Sequence, residues 1–227
     1  VGEEVEQRTF TREDRAKYRT KIRRSLDVFA AMLREARFEF ERPMTGMEIE
    51  LNLIDDKADP AMRNAEVLGA IADPDFQTEL GQFNVEINVP PRRLGGQTAD
   101  LEETLRASLN NAEQHARGAG AHMVMIGILP TLRREHMTAD ALSANPRYKL
   151  LNEQIFAARG EDLEIKIDGV DRLAVTTDTI APESACTSTQ FHLQVSPAQF
   201  AAYWNAAQVV AGVQVALGAN SPLLFGR

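Results

Sequence analysis

Thiol chemistry is nearly absent from this chain. One cysteine, Cys186, stands in 227 residues. No disulfide framework can form, a thiolate metal site lacks ligands, and a reducing, cytoplasmic setting is expected. The same cysteine, beside a turn rich in serine and threonine, reads as a packing residue rather than a nucleophile. Basic charge is also short: 25 Lys and Arg against 33 Asp and Glu give a net charge of −8. A dedicated nucleic-acid binder carries the opposite balance, so no nucleic-acid partner is expected. The first residues are acidic, with no apolar run of the signal-peptide kind. A P-loop is missing too, because "LGGQT" lacks the Gly-Lys-Ser/Thr ending that cradles phosphate.

Another absence is local. From Ser184 to Gly226 there is no Asp, Glu, Lys or Arg. A membrane-spanning helix needs about 20 mostly apolar residues. Here Gln190, Gln194, Asn205, Gln208, Gln214 and Asn220 interrupt the run, as do Pro197 and Pro222. Amides are costly in lipid. The segment therefore reads as a buried strand and then a buried helix, with Phe200 and Trp204 in the core and no membrane partner.

What is present suffices for a large core: 44% of the residues are hydrophobic. Residues 1–227 are expected to form a single domain. The chain starts at Val1 and stops just after the apolar "NSPLLFGR", which suggests the N-terminal part of a longer protein.

Periodicity supplies the elements. "TRED" predicts a helix cap at Thr11, and Ile22, Leu26, Phe29, Ala30 and Leu33 recur at helical spacing behind it. A strand follows over 47–54, a short helix near 64–72, and a strand "QFNVEINVPP" that ends at paired prolines. Thr98 is read as the cap of a helix that stops at glycine, and "AHMVMIGIL" as a strand buried on both sides. Another helix is expected over "NPRYKLLNEQIFAARG", then strands "LEIKI", "LAVTT" and 189–195. Ser196 would cap the last helix, with Pro197 in its first turn. The mixture points to α+β architecture, mainly an antiparallel sheet with helices packed on one face.

Three of these strands share an unusual polar side. In "MTGMEIELNLID", Met47, Ile49, Leu51 and Leu53 alternate with Glu48, Glu50 and Asn52. Val85, Ile87 and Val89 alternate with Gln82, Asn84, Glu86 and Asn88, and Glu79 lies seven residues before Glu86. Phe191, Leu193 and Val195 alternate with Gln190, His192 and Gln194. Alternation turns each polar set to one face. A solvated strand face usually carries threonine, lysine and mixed charge. These carry carboxylates, amides and one imidazole, a donor set suited to Mg2+ or Mn2+. His115, His122 and His136 lack partners at ligand spacing. Arg147 and Tyr148 read as the surface of a helix start, and Arg92 and Arg93 as loop residues with a possible reach to a substrate carboxylate.

"GMEIEL", "TELGQFNVEIN", "STQFHLQV" and "ALGANSPLLFGR", in that order, resemble glutamate–cysteine ligases of the GCS2 type and related carboxylate–amine ligases. The resemblance spans about residues 44–227. It implies a glutamine-synthetase-like fold whose sheet holds the active site. It makes Glu48, Glu50, Glu79, Glu86 and His192 metal ligands, and sets His192 and Gln190 beside nucleotide. Gln190 departs from the histidine that relatives carry there. Asn220 and Ser221 match an element near the substrate, and Arg92 is a further substrate candidate; no catalytic residue is assigned. Further ligands would lie beyond Arg227. The activity implied is ATP-dependent joining of the glutamate γ-carboxylate to the cysteine amino group, with Mg2+ or Mn2+, through an acyl phosphate. A sister ligase using another amine, or a non-catalytic metal- and nucleotide-binding module on the same scaffold, are the alternatives. Oligomeric state is left open.

Overall fold

The computed structural model describes residues 5, 9–38, 41–95 and 98–227. Helix α1 spans Arg12–Arg34. Its start follows the local chemistry: Thr11 Oγ1 accepts from the Asp14 amide at 3.1 Å, and Asp14 Oδ2 accepts from the Thr11 amide at 2.9 Å. That reciprocal pair satisfies amides the helix cannot.

The main sheet is built around β1 (Met44–Ile54). One edge of β1 pairs with β3 (Asn84–Arg93), which in turn pairs with β2 (Phe76–Thr78). Its other edge is shared: β7 (Thr189–Leu193) runs along Thr45–Ile49, and β4 (His122–Val124) along Asn52–Ile54. All these pairings are antiparallel. Helices α2 (Asn64–Ile71) and α3 (Thr98–Gly118) cover the apolar face. Val67 and Ile71 of α2, and Ala112 and Ala116 of α3, pack against Ile49, Leu51, Leu53, Val85 and Ile87. A second apolar cluster joins Leu80 and Phe83 to Leu129, Leu132, Leu142 and Ile180. Helix α4 (Pro146–Arg159) borders it, and β5 (Leu163–Asp168) and β6 (Arg172–Thr177) form a separate hairpin sheet. The α+β class and the antiparallel sheet are as the periodicity implied. The Thr98 cap rests on side chains outside the described residues.

Several expectations fail, each for a physical reason. Helix α5 (Phe200–Gly218) has no buried residue, and Phe200 and Trp204 are both 57% exposed. Apolar composition states that a segment gains from being covered, but it does not supply the cover, and among the described residues none packs along α5. Strand β7 is exposed for the same reason, with Phe191 and Leu193 open. The stripe Ile22, Leu26, Phe29 and Leu33 of α1 is exposed as well. "AHMVMIGIL" pairs only over His122–Val124. Beyond that, the Ile126 carbonyl accepts from Asn52 and Thr187 side chains, and the Gly127 amide donates to the Asn220 carbonyl. Those bonds occupy groups a longer ladder would need. Ser196 caps only a turn: its Oγ accepts from the Gln199 amide, and α5 starts at Phe200. Cys186 is exposed instead of packed.

Candidate functional site

The ladder between β1 and β3 sets the polar residues directly opposite one another: Glu48 faces Asn88, Glu50 faces Glu86, and Asn52 faces Asn84. Facing residues share a side of the sheet. Gln77 of β2 extends the middle row beside Glu86, and Gln190 of β7 extends the first beside Glu48. The result is a grid of rows, acidic in the middle and amide-rich at the inner end.

At the inner end Asn84 Nδ2 donates to Asn52 Oδ1 at 2.9 Å, and Asn52 Nδ2 donates to the Ile126 carbonyl at 2.7 Å. This ties the polar face to the loop after β4. In the middle, Glu79 arrives from the turn between β2 and β3. Carboxylate oxygens of Glu50, Glu79 and Glu86 lie within 4.8 Å of one another. Glu86 is 3% exposed and accepts from Asn88 Nδ2 at 2.5 Å. Glu50 Oε2 accepts from the Ser188 amide at 2.7 Å, and Glu79 Oε2 from the Leu80 amide at 2.7 Å. No Lys or Arg forms an ion pair with these three among the described residues.

Three carboxylates without a counter-cation oppose each other's ionisation. Burial pushes Glu79 up to about 7, helped by its hydrogen bond to Glu86 and by negative Glu50 and Glu86; the Leu80 amide opposes the shift. Burial also raises Glu50, with Glu86 adding to it and Ser188 working against it. An all-oxygen cluster this close, short of positive charge, has the donor chemistry of a divalent-cation site for Mg2+ or Mn2+.

Glu48 and His192 stand apart from that triad, at the outer end of the same face. His192 Nε2 is 3.4 Å from Glu48 Oε1. Both line an open cleft of about 740 Å³ with Gly46, Asp75, Asn88 and Gln194. The five acidic and imidazole residues therefore share one face but fall into two groups.

Other candidates lie elsewhere. Arg92 and Arg93 are not loop residues: β3 runs past the paired prolines and sets them opposite Thr45 and Met44. Arg92 lines a cleft with Met47, Val89, Leu101 and Phe191, side chains of the apolar side, after an irregularity between Thr45 and Met47 shifts the register. Asn220 and Ser221 are exposed, with the Asn220 carbonyl on the Gly127 amide. Tyr148 is not simple surface: its hydroxyl donates to the Thr78 carbonyl at 3.2 Å, and Arg147 lies over its ring at 4.6 Å. His122 pairs with Asp56 Oδ1 at 3.2 Å and Glu113 Oε1 at 3.4 Å, and both raise its pKa. His136 accepts from the Arg133 amide at 3.1 Å. Two residues around Glu79 escaped the sequence reading, Asn64 and Ser143. Nothing local marks them, because their contacts reach across the chain.

Fold and face together define an α+β protein whose antiparallel sheet presents clustered carboxylates fit for a divalent cation. The family model "Glutamate-cysteine ligase family 2 (GCS2)" matches residues 44–227, and the chain belongs to that family. A search of the curated proteins found no match. Among solved structures, a bifunctional glutathione synthetase from Pasteurella multocida matches with 14% identity and a TM-score of 0.43, over 72% of this chain and 19% of that one. A glutamate–cysteine ligase from Francisella tularensis, in complex with AMP, matches with 10% identity and a TM-score of 0.42, over 78% of this chain and 30% of that one. The chain thus spans less than a third of either structure.

Proposed function

We propose that this chain supplies the cation-binding face of an ATP-dependent carboxylate–amine ligase that joins the glutamate γ-carboxylate to the amino group of cysteine. The observation that carries the proposal is the convergence of Glu50, Glu79 and Glu86, without a basic ion-pair partner among the described residues, in a member of the glutamate–cysteine ligase family. In such a reaction an oxygen of the γ-carboxylate attacks the γ-phosphorus of ATP and ADP leaves. The amine nitrogen then attacks the acyl carbon, phosphate leaves, and the nitrogen loses a proton. Substrate carboxylate and triphosphate would meet in one cleft, and bound Mg2+ or Mn2+ would neutralise the charge gathered there.

The residues divide by position. Glu50, Glu79 and Glu86 would hold a cation at the buried middle of the face. Glu48 and His192, beside the open cleft, suit the nucleotide side, where Gln190 offers an amide hydrogen bond instead of a charge. Arg92 has no part in this assignment, because it lines the apolar cleft. Asn220 and Ser221 are kept as substrate contacts only through their match to the family pattern. The test is ADP release from ATP by the full-length protein with glutamate, Mg2+ and a panel of amines. Release that depends on cysteine is the expected result. Release with a different amine would move the assignment to a sister ligase, and no release with any amine would favour a binding module.

A further inference from the structure

Glu79 is the one member of the triad that does not sit in a strand, so its placement needs a separate cause. The chain reverses between β2 and β3 through residues 79–83. Ser143, 3% exposed, grips this turn from the far side. Its Oγ donates to the Glu79 carbonyl and its amide donates to the Leu80 carbonyl at 2.8 Å. Asn64, also 3% exposed, completes the relay: Nδ2 is 2.7 Å from Ser143 Oγ and 3.2 Å from the carbonyls of Gly81 and Asn84. A hydroxyl has one proton to give, and accepting from Asn64 leaves that proton free for Glu79.

The consequence lies in one peptide unit. The Glu79 carbonyl and the Leu80 amide belong to the same planar group, so fixing one direction fixes the other. That amide is the donor holding Glu79 Oε2 at 2.7 Å. The turn has little slack elsewhere: a Cβ on Gly81 would stand 2.9 Å from Phe83 Cε1 and from Ser184 Cβ. We propose that Asn64 and Ser143 are positioning residues, orienting the Glu79–Leu80 peptide so that the Glu79 carboxylate stays aimed at Glu50 and Glu86. This inference rests on the cation-site reading above, and its test separates the two.

The experiment titrates Mn2+ into the protein by electron paramagnetic resonance and follows hydrogen exchange at the Leu80 amide without metal. Ser143→Ala is expected to weaken Mn2+ binding by about 10-fold, the lower end for loss of a supporting partner. It should also speed Leu80 exchange, and Ser143→Thr, which keeps the hydroxyl, should restore both. Asn152→Ala serves as the control. Asn152 Oδ1 accepts from the Thr179 hydroxyl and the Ile180 amide. The Glu79–Leu80 peptide is held instead by Ser143 and by Glu79 Oε2, so loss of Asn152 should lower the melting temperature and leave Mn2+ affinity alone. Asn64→Ser, a second variant should Ser143→Ala not fold, is expected to give a smaller loss in the same direction. Wild-type Mn2+ binding and Leu80 protection in Ser143→Ala would overturn the proposal, as would an equal loss in Asn152→Ala. If the wild type takes up no Mn2+, the cation reading fails, and Leu80 exchange in Ser143→Ala alone decides whether the relay orients the peptide.

Discussion

Strand β1 and helix α5 are both rich in apolar side chains, yet their surroundings differ completely. β1 has β3 along one edge, β7 and β4 along the other, and α2 and α3 over its apolar side. Its Leu53 is fully buried. Among the described residues α5 has no such cover, and Val209, Val215 and Leu217 are more than half exposed. The difference teaches that burial belongs to a pair of surfaces. Patterning prepares one of them, and only packing brings the other.

The comparison can be broken at its largest contrast first. Phe83→Ala, at a fully buried ring, should cost about 3–5 kcal/mol in urea unfolding. Trp204→Ala on α5 should stay within about 0.5 kcal/mol despite the larger ring. Equal losses would mean that α5 is covered.

Within the sheet, the polar face can be set against an ordinary surface. Glu86→Gln removes a buried charge from the triad, so the metal-free protein should melt higher. Mn2+ affinity should fall by more than the about 10-fold minimum seen for supporting partners. Glu153→Gln, at an exposed position of α4, should change neither. A metal-free protein that melts lower after Glu86→Gln would deny the crowding on which the site depends.

The pH response sharpens the same contrast. Glu79 titrates near 7 in the folded chain against an ordinary value of 4.5. A carboxyl raised in this way favours the fold while protonated. Its contribution is complete below about 4.5 and lost as pH rises through about 7. The metal-free melting temperature should therefore decline across that window, while Mn2+ affinity climbs as the proton leaves. Glu79→Gln should flatten the decline. The smallest effect is expected at Cys186→Ser, an exposed thiol, within about 0.5 kcal/mol and with unchanged Mn2+ binding.

Much of the site was legible in residue order, and some of it was not. Alternation marked Glu48, Glu50, Glu86 and His192 as members of polar strand faces. It could not reveal that Glu50 stands opposite Glu86 while Glu48 stands opposite Asn88, because a period of two sets a face and leaves the register free. Arg92 was set on the apolar side by a single register shift near Thr45, which alternation alone does not foretell. Asn64 and Ser143 carried no local signal, since their partners lie up to 79 residues away.

Residue order by itself settled which side chains β1 and β3 show to either face along Met47–Asn52 and Asn84–Val89, and where α1 begins, because those depend on neighbours a few positions apart. The tertiary structure alone decided which carboxylates meet, how the turn carrying Glu79 is gripped, and that α5 has no cover among the described residues. Contact between distant segments depends on strand register and packing surfaces, and neither is written into any one stretch of chain.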